Sequence, residues 1–338
     1  MQNDRRKILE LLLQHSRVQK FVEDYARLDP GPDGRSRTIM SAMAWTGRMR
    51  HRGQKDLNNK RVPGYTNHAN ISAKYAVLDP IYNLRDVLIA DPGRVLGYAD
   101  LSQAEARVAA WMSRDPLAMQ QYAEHVDRYR FFASHFYGID PANVTKSQRN
   151  VGKMGVLAYQ YGVGWAKFQE QVNKDAELTG VSISAADAKK ADKLYHRLYP
   201  SYKVWHQRVL ADVQKMGHVR NVFGRRIEFF NRTDSASSID KLKRDAVASL
   251  PQSTIADLLN SKLVEVHRAM DPKEVRILLQ VHDAILFDCE RSGWRRTCRR
   301  VLGILDSRLE IEGEECHIPA EVFVGESWGQ MKEVTEEL

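Results

Sequence analysis

An α+β fold, with a long helical block set between two β segments, is the class this sequence predicts, and three observations predict it. Short apolar runs broken by turn residues occupy residues 34–94. Apolar residues at helical spacing then dominate residues 103–217, and alternating apolar runs return in the last third of the chain. At 338 residues, 43% hydrophobic and 28% charged, the chain can bury a sizeable core and hold two or three lobes.

The elements follow in order. Ile8, Leu11, Leu12, His15, Val18, Phe21, Val22 and Tyr25 recur at helical spacing and predict an amphipathic helix over residues 5–28, which Asp29-Pro-Gly-Pro-Asp-Gly34 stops. Val95 to Ala99 reads as a strand that delivers Asp100 at its end and turns at once into a helix. Gly138, Gly162, Gly164 and Pro200 interrupt the helical block, and Thr145-Lys-Ser-Gln148 is a capping box that starts one of its helices. Beyond it come a hairpin near Gly224, a helix over residues 238–269, a second hairpin with His282-Asp283 at its tip, and a helix over residues 292–310.

Charge narrows the function. The 51 basic residues against 43 acidic give +8 and favour a polyanionic partner. Basic residues cluster at Arg48 to Arg52, at Arg225-Arg226 and at Arg295 to Arg300, although any one cluster also fits a solvated face. Cys289, Cys298 and Cys316 lack metal-ligand spacing, and their odd number argues against a disulfide framework. No signal peptide precedes residue 30 and no run reaches membrane-spanning length, so a soluble cytoplasmic protein with no membrane partner is expected.

Three motifs carry chemistry. A carboxylate at a strand end beside a helix N-terminus, as at Asp100, is a rigid and partly exposed holder for a hard cation. His282-Asp283 alone is ordinary turn chemistry, because Asp bonds its own backbone there. Together, two carboxylates on neighbouring strands can clamp two Mg2+ ions about 3.5–4 Å apart. Between them in the chain, Arg149, Lys153, Leu157 and Tyr161 recur every fourth residue and form one helical ridge. The ridge runs from two cations through an apolar side chain to an aromatic ring, an order that suits a nucleotide from triphosphate to base.

Asp100-Leu-Ser-Gln-Ala-Glu105 with Arg107, the ridge ending in Tyr161-Gly162, and Gln280-Val-His-Asp283 resemble, in that order, three motifs of the family A DNA polymerases. Thr46-Gly47-Arg48, Gly224-Arg225-Arg226, Arg244 with Pro251-Gln-Ser-Thr-Ile-Ala-Asp257, and Val324-Gly-Glu-Ser-Trp328 are similar to further elements of that family. The resemblance covers roughly residues 40 to 330. It implies a palm with an antiparallel sheet (residues 31–115 and 241–338), a mostly helical fingers subdomain (116–240) and a thumb-base helix (1–30). The implied activity is template-directed transfer of deoxynucleotides to a primer 3′-hydroxyl, with primer-template DNA and deoxynucleoside triphosphates as partners.

The resemblance also assigns residues. Asp100, Asp283 and the Leu101 carbonyl would bind the Mg2+ ions, and Lys153 would protonate the departing pyrophosphate. Arg149, Lys153, Leu157, Tyr161, Gln103 and Tyr129 would line the nucleotide site. Glu105 would exclude a 2′-hydroxyl and accept a hydrogen bond from Tyr161, although Ser102-Gln-Ala-Glu105 also fits a capping box. Arg48, Asn58, Arg225, Arg244, Gln252 and His282 would contact DNA. The chain departs from the family's pattern at Leu157, where an aromatic usually stacks on the base, and at Ala284, where an acidic residue is common. Tyr129 stands in for a histidine, and Ala248 for an asparagine. The family's thumb and exonuclease precede this region. A second chain supplying them, an abbreviated grip without proofreading, and a piece of a longer protein all remain open. Two other functions are carried as alternatives: a single-subunit RNA polymerase, which Glu105 opposes, and a non-catalytic DNA-binding subunit, which intact Asp100, Lys153 and Asp283 oppose.

Overall fold

The computed structural model describes residues 30–41, 44–58, 62, 67–68, 71, 83–174, 176, 181–230 and 235–338, with Gln19; the helix expected over residues 5–28 otherwise lies outside them. Among the described residues, three separate two-stranded sheets pair β1 (Ile39–Ser41) with β2 (Arg50–Arg52), β4 (His218–Arg220) with β5 (Arg226–Glu228), and β8 (Ser307–Ile311) with β9 (Glu314–Ile318). A five-stranded antiparallel sheet takes β3 (Arg94–Leu101), β6 (Val275–Val281), β7 (Ala284–Glu290), β10 (Ala320–Gly325) and β11 (Lys332–Glu333) in the order β11-β10-β3-β7-β6. The helices are α1 (Ala104–Ser113), α2 (Pro116–Ala123), α3 (Arg128–Tyr137), α4 (Lys146–Gln160), α5 (Trp165–Lys174), α6 (Ala185–Leu198), α7 (Pro200–Met216), α8 (Ala236–Ala269) and α9 (Trp294–Leu305).

A strand's period of two sorts the central strand by face. Val95, Ala99 and Leu101 of β3 join the larger apolar core, to which α1, α8 and α9 also contribute. Leu96 and Tyr98 point to the other face, where they meet Leu279, Leu286 and Trp328. Asp100 shares that second face by the same alternation. The sheet therefore spends one side on the core and keeps the end of the other for polar chemistry.

The helical block is punctuated where the sequence predicts. Gly138 ends α3 at φ 69°, α4 stops two residues before Gly162, and Pro200 opens α7. The Thr145–Gln148 capping box is formed, with both reciprocal bonds present. The last third differs in one element. The helix expected over residues 292–310 ends at Leu305, and Ser307 begins a hairpin. Glu312 and Gly313, both at positive φ (54° and 82°), make its two-residue turn. Leu309 and Ile311 alternate with Arg308 and Glu310, which is strand spacing, so the helical pattern stops before them.

Candidate active site

A strand end and a hairpin tip bring the carboxylates together. Asp100 lies one residue from the end of β3, and Asp283 stands at the tip of the β6–β7 hairpin beside His282, whose φ is 55°. In the sheet Asp100 is paired with Ala284, and the Leu101 N–H donates to the Asp283 carbonyl at 3.1 Å. The two chain segments are thus locked by the ladder itself. On the other side Asp100 faces Glu321 of β10, directly opposite in register.

Electrostatics mark the spot as one that needs cations. Burial, then Asp283, then Glu321 push the Asp100 carboxyl up to about 7. Burial also raises Asp283, while His282 and Arg48 pull it back. Like charges that cannot all ionise freely in a part-buried site favour a bound cation. Among the described residues no group of three or more His, Cys, Asp or Glu side chains converges on a metal position. The candidate donors at this place are the Asp100 and Asp283 carboxylates with neighbouring backbone. That suits Mg2+, which takes one or two protein carboxylates and completes its shell with phosphate oxygens and water.

Arg48 connects this pair to the next group. It follows Gly47 (φ 80°), whose carbonyl accepts from Asn260 Nδ2 at 3.2 Å. The Arg48 guanidinium forms an ion pair with Glu105 and also feels the charge of Asp283. Glu105 does not cap its helix. The N-cap position of α1 is Gln103, exposed and left-handed at φ 51°, with no side-chain capping bond. The capping-box reading of Ser102–Glu105 is thereby corrected, because a left-handed Gln103 leaves Ser102 outside the first turn. The hydrogen bond expected from Tyr161 is replaced by Arg48 as the partner of Glu105.

The ridge on α4 is formed as its spacing predicts. Lys153 is exposed and Arg149, Leu157 and Tyr161 are half-buried, while Val151, Val156 and Tyr159 pack inward. Gly152 makes this possible: a Cβ there would stand 2.3 Å from the Tyr129 carbonyl oxygen, so only glycine lets α3 and α4 approach. Tyr129 then lies beneath both cations, with the Arg149 Cζ 5.4 Å and the Lys153 Nζ 5.9 Å from its ring centroid. Asp127, which caps α3, accepts from Arg149 Nε at 2.6 Å. Farther along, Leu157 and Tyr161 line an open cleft of about 520 Å³ with Met154 and Val163.

The expected DNA contacts divide. His282 is exposed beside Asp283, and the Arg244 side chain comes within 3.8 Å of where a Cβ on Gly162 would sit. Gln252 is half-buried on α8, and Asn58 is exposed in a turn, its backbone N–H donating to Asp56 at 2.9 Å. Arg225 is committed elsewhere. Its Nε reaches both Asp257 oxygens (3.0 and 2.8 Å), its Nη2 reaches one at 2.5 Å, and its guanidinium lies against Gly47. It braces the turn that carries Arg48. The sequence reading missed Asp127 and Glu321. An Asp one residue before an expected helix is a recognisable cap, but nothing in the spacing ties it to Arg149 or ties Glu321 to Asp100.

With this geometry in view, the family model for "DNA polymerase family A" matches residues 1–330. The chain belongs to DNA polymerase family A. It is 25% identical over 335 residues to a thermostable DNA polymerase I of Thermus filiformis, and 27% identical over 252 residues to the DNA polymerase I of Chloroflexus aurantiacus. Those matches take in 96% and 73% of this chain but only 37% and 25% of the relatives' lengths. A solved structure, the POL domain of Pol1 from M. smegmatis in complex with DNA primer-template and dNTP, superposes with a TM-score of 0.80 at 23% identity, over 95% of this chain and 53% of that one. The α+β fold, with an antiparallel sheet and a mostly helical block, is that of the family A polymerase domain. Among the described residues no helix is long and apolar enough to cross a membrane.

Proposed function

We propose that the chain catalyses template-directed addition of deoxynucleotides to a primer 3′-hydroxyl. The observation that carries this reading is the locking of Asp100 beside Asp283, with the Arg48–Glu105 ion pair beside them. Family membership supports it, as do relatives named DNA polymerase I and a neighbour solved with primer-template and dNTP. Held by Asp100, the Leu101 carbonyl and Asp283, two Mg2+ ions would supply activation of the 3′-hydroxyl and stabilisation of the leaving pyrophosphate.

The chain's own residues do the rest. Arg149 and Lys153 bind the triphosphate, Tyr129 supports both from below, and Lys153 donates a proton to the departing pyrophosphate. Arg149 exchanges Asp127 for phosphate when a nucleotide enters. Leu157 packs against the base and Tyr161 against the sugar, while Gln103 at the start of α1 faces the nucleotide. Glu105 occupies the position that a 2′-hydroxyl would need, which favours deoxynucleotides over ribonucleotides. Arg48, Asn58, Arg244, Gln252 and His282 contact primer or template and read duplex shape more than sequence. In this assignment residues 31–115 and 241–338 form the palm and 116–240 the fingers.

Extension of a labelled primer with Mg2+ tests the reading. The chain should add deoxynucleotides in template order, and Asp100→Ala and Asp283→Ala should each abolish addition while duplex binding stays within a few-fold. Duplex affinity rests on phosphate contacts, whereas the carboxylates act on charge in the transition state. No addition by the unaltered chain, or substantial addition by either variant, overturns it.

A further inference from the structure

Glu105 is a long, flexible side chain, and excluding a hydroxyl requires its carboxylate to stay in one place. A group that sets selectivity by position works only when its own rotamer is held by neighbours. Its helix gives no such hold, because α1 has no side-chain cap and Glu105 lies in the first turn. The hold comes from Arg48, whose guanidinium forms the ion pair with it; the two side chains are 33% and 21% exposed, so water competes for the pair only in part.

Arg48 is fixed in turn from below. Asn260 Nδ2 donates to the Gly47 carbonyl, Gln280 Nε2 donates to Asn260 Oδ1 at 3.1 Å, and the Arg225 guanidinium lies against the Gly47 α-carbon. Gln280 belongs to β6, the strand that leads to Asp283. One chain of contacts therefore runs from the strand that presents a catalytic carboxylate, through Asn260 and the Gly47 turn, to Arg48 and Glu105.

We infer that Arg48 determines sugar selectivity by positioning Glu105, in addition to any contact it makes with the primer. The inference rests on the polymerase reading, in which Glu105 faces the 2′ position. A primer contact alone affects deoxy- and ribonucleotide addition alike. Holding the gate carboxylate affects their ratio.

The test is a double-mutant cycle on single-nucleotide addition, reading the deoxy-to-ribo ratio of kcat/KM for the unaltered chain, R48A, R48K, E105A and R48A/E105A. R48A should lower the ratio about tenfold, R48K should restore it in part, and R48A should change nothing further once Glu105 is gone. Asn260→Ala, which removes the support without touching either partner, should shift the ratio in the same direction. If R48A unfolds, the comparison of R48K with R48K/E105A carries the cycle. A ratio unmoved by these Arg48 substitutions, or moved equally with and without Glu105, overturns the inference. Failure of the unaltered chain to extend any primer instead overturns the polymerase reading.

Discussion

Gly152→Ala isolates the close approach on which the nucleotide site depends. Two effects oppose each other. Alanine is the better helix former by about 0.8–1 kcal/mol in a helix interior, which alone would stabilise α4. Against it, the new Cβ would lie 2.3 Å from the Tyr129 carbonyl oxygen and 3.1 Å from the Ala133 Cβ. The first neighbour is backbone in the first turn of a packed helix and cannot swing away as a side chain could. Overpacking of this kind costs roughly 1–3 kcal/mol, and an overlap with backbone belongs at the upper end. The net expectation is a loss of about 1–2 kcal/mol, the difference of the two terms. At about 2–4 °C per kcal/mol for domains of 150–250 residues, and less for a longer chain, the melting temperature should fall by a few degrees. The functional cost should be larger. Pushing α3 from α4 separates Tyr129 and Asp127 from Arg149 and Lys153, and a displacement near 1 Å can cost on the order of 10²-fold in rate. Thermal melting and single-turnover nucleotide addition read the two consequences separately. An unchanged or raised melting temperature with unchanged nucleotide affinity would refute the close packing of α3 on α4.

Three further expectations follow from the same site and its supports. Leu157→Phe should tighten apparent nucleotide binding in single-turnover kinetics, since aromatic stacking on a base is worth about 1–3 kcal/mol in single-strand sites; lower stability with unchanged affinity would make Leu157 a packing residue only. Arg225→Ala should loosen the Gly47 turn and weaken primer binding, and equal binding at matched salt would show that the turn holds without it. His206 gives a pH dependence. Burial lowers it from 6.5 to about 4, its Nε2 facing the Gln160 carbonyl with the charges of His196 and Lys243 nearby. Below pH 6.5 the unfolded chain therefore binds a proton that the folded chain refuses, so stability is full above 6.5 and is lost as pH falls toward 4. The loss from this residue is at most about 3 kcal/mol at 1.36 kcal/mol per pH unit. His68, lowered to about 4 by burial, adds to the same window, so the comparison needed is urea unfolding of the unaltered chain against His206→Gln, whose pH slope should be shallower. Equal slopes would mean that His206 is protonated in the fold.

Much of this site is legible along the chain because its parts are local. A strand end followed by a helix, a two-residue hairpin tip and a ridge of residues four apart depend on backbone period, and period is written in consecutive residues. The placement of Asp100 at a strand end, of Asp283 at a hairpin tip and of Arg149, Lys153, Leu157 and Tyr161 on one ridge follows from that period, while the roles given to them come from the family resemblance. The capping box at Thr145 belongs to the same class, and it formed. The one at Ser102 has the same spacing but did not form, because the Leu101 N–H bonds to Asp283 and the Ser102 N–H to the Pro319 carbonyl, and the helix begins only after a left-handed Gln103. Local propensity was overruled there by a sheet whose other strands lie far along the chain, at Val275 and beyond.

What only the tertiary structure decided is who meets whom among the charges. The sequence by itself determined the α+β class, the positions of Asp100 and Asp283 at element ends and the ridge of α4, because each follows from residue type and short-range periodicity. It could not place Arg48 on Glu105, Asp127 on Arg149 or Glu321 opposite Asp100, nor divert Arg225 to Asp257. Ion pairs carry no periodic signature, and a guanidinium can reach any of many carboxylates that folding brings near. Strand order and the Gly47 turn choose among them, and those are fixed by long-range burial of apolar faces.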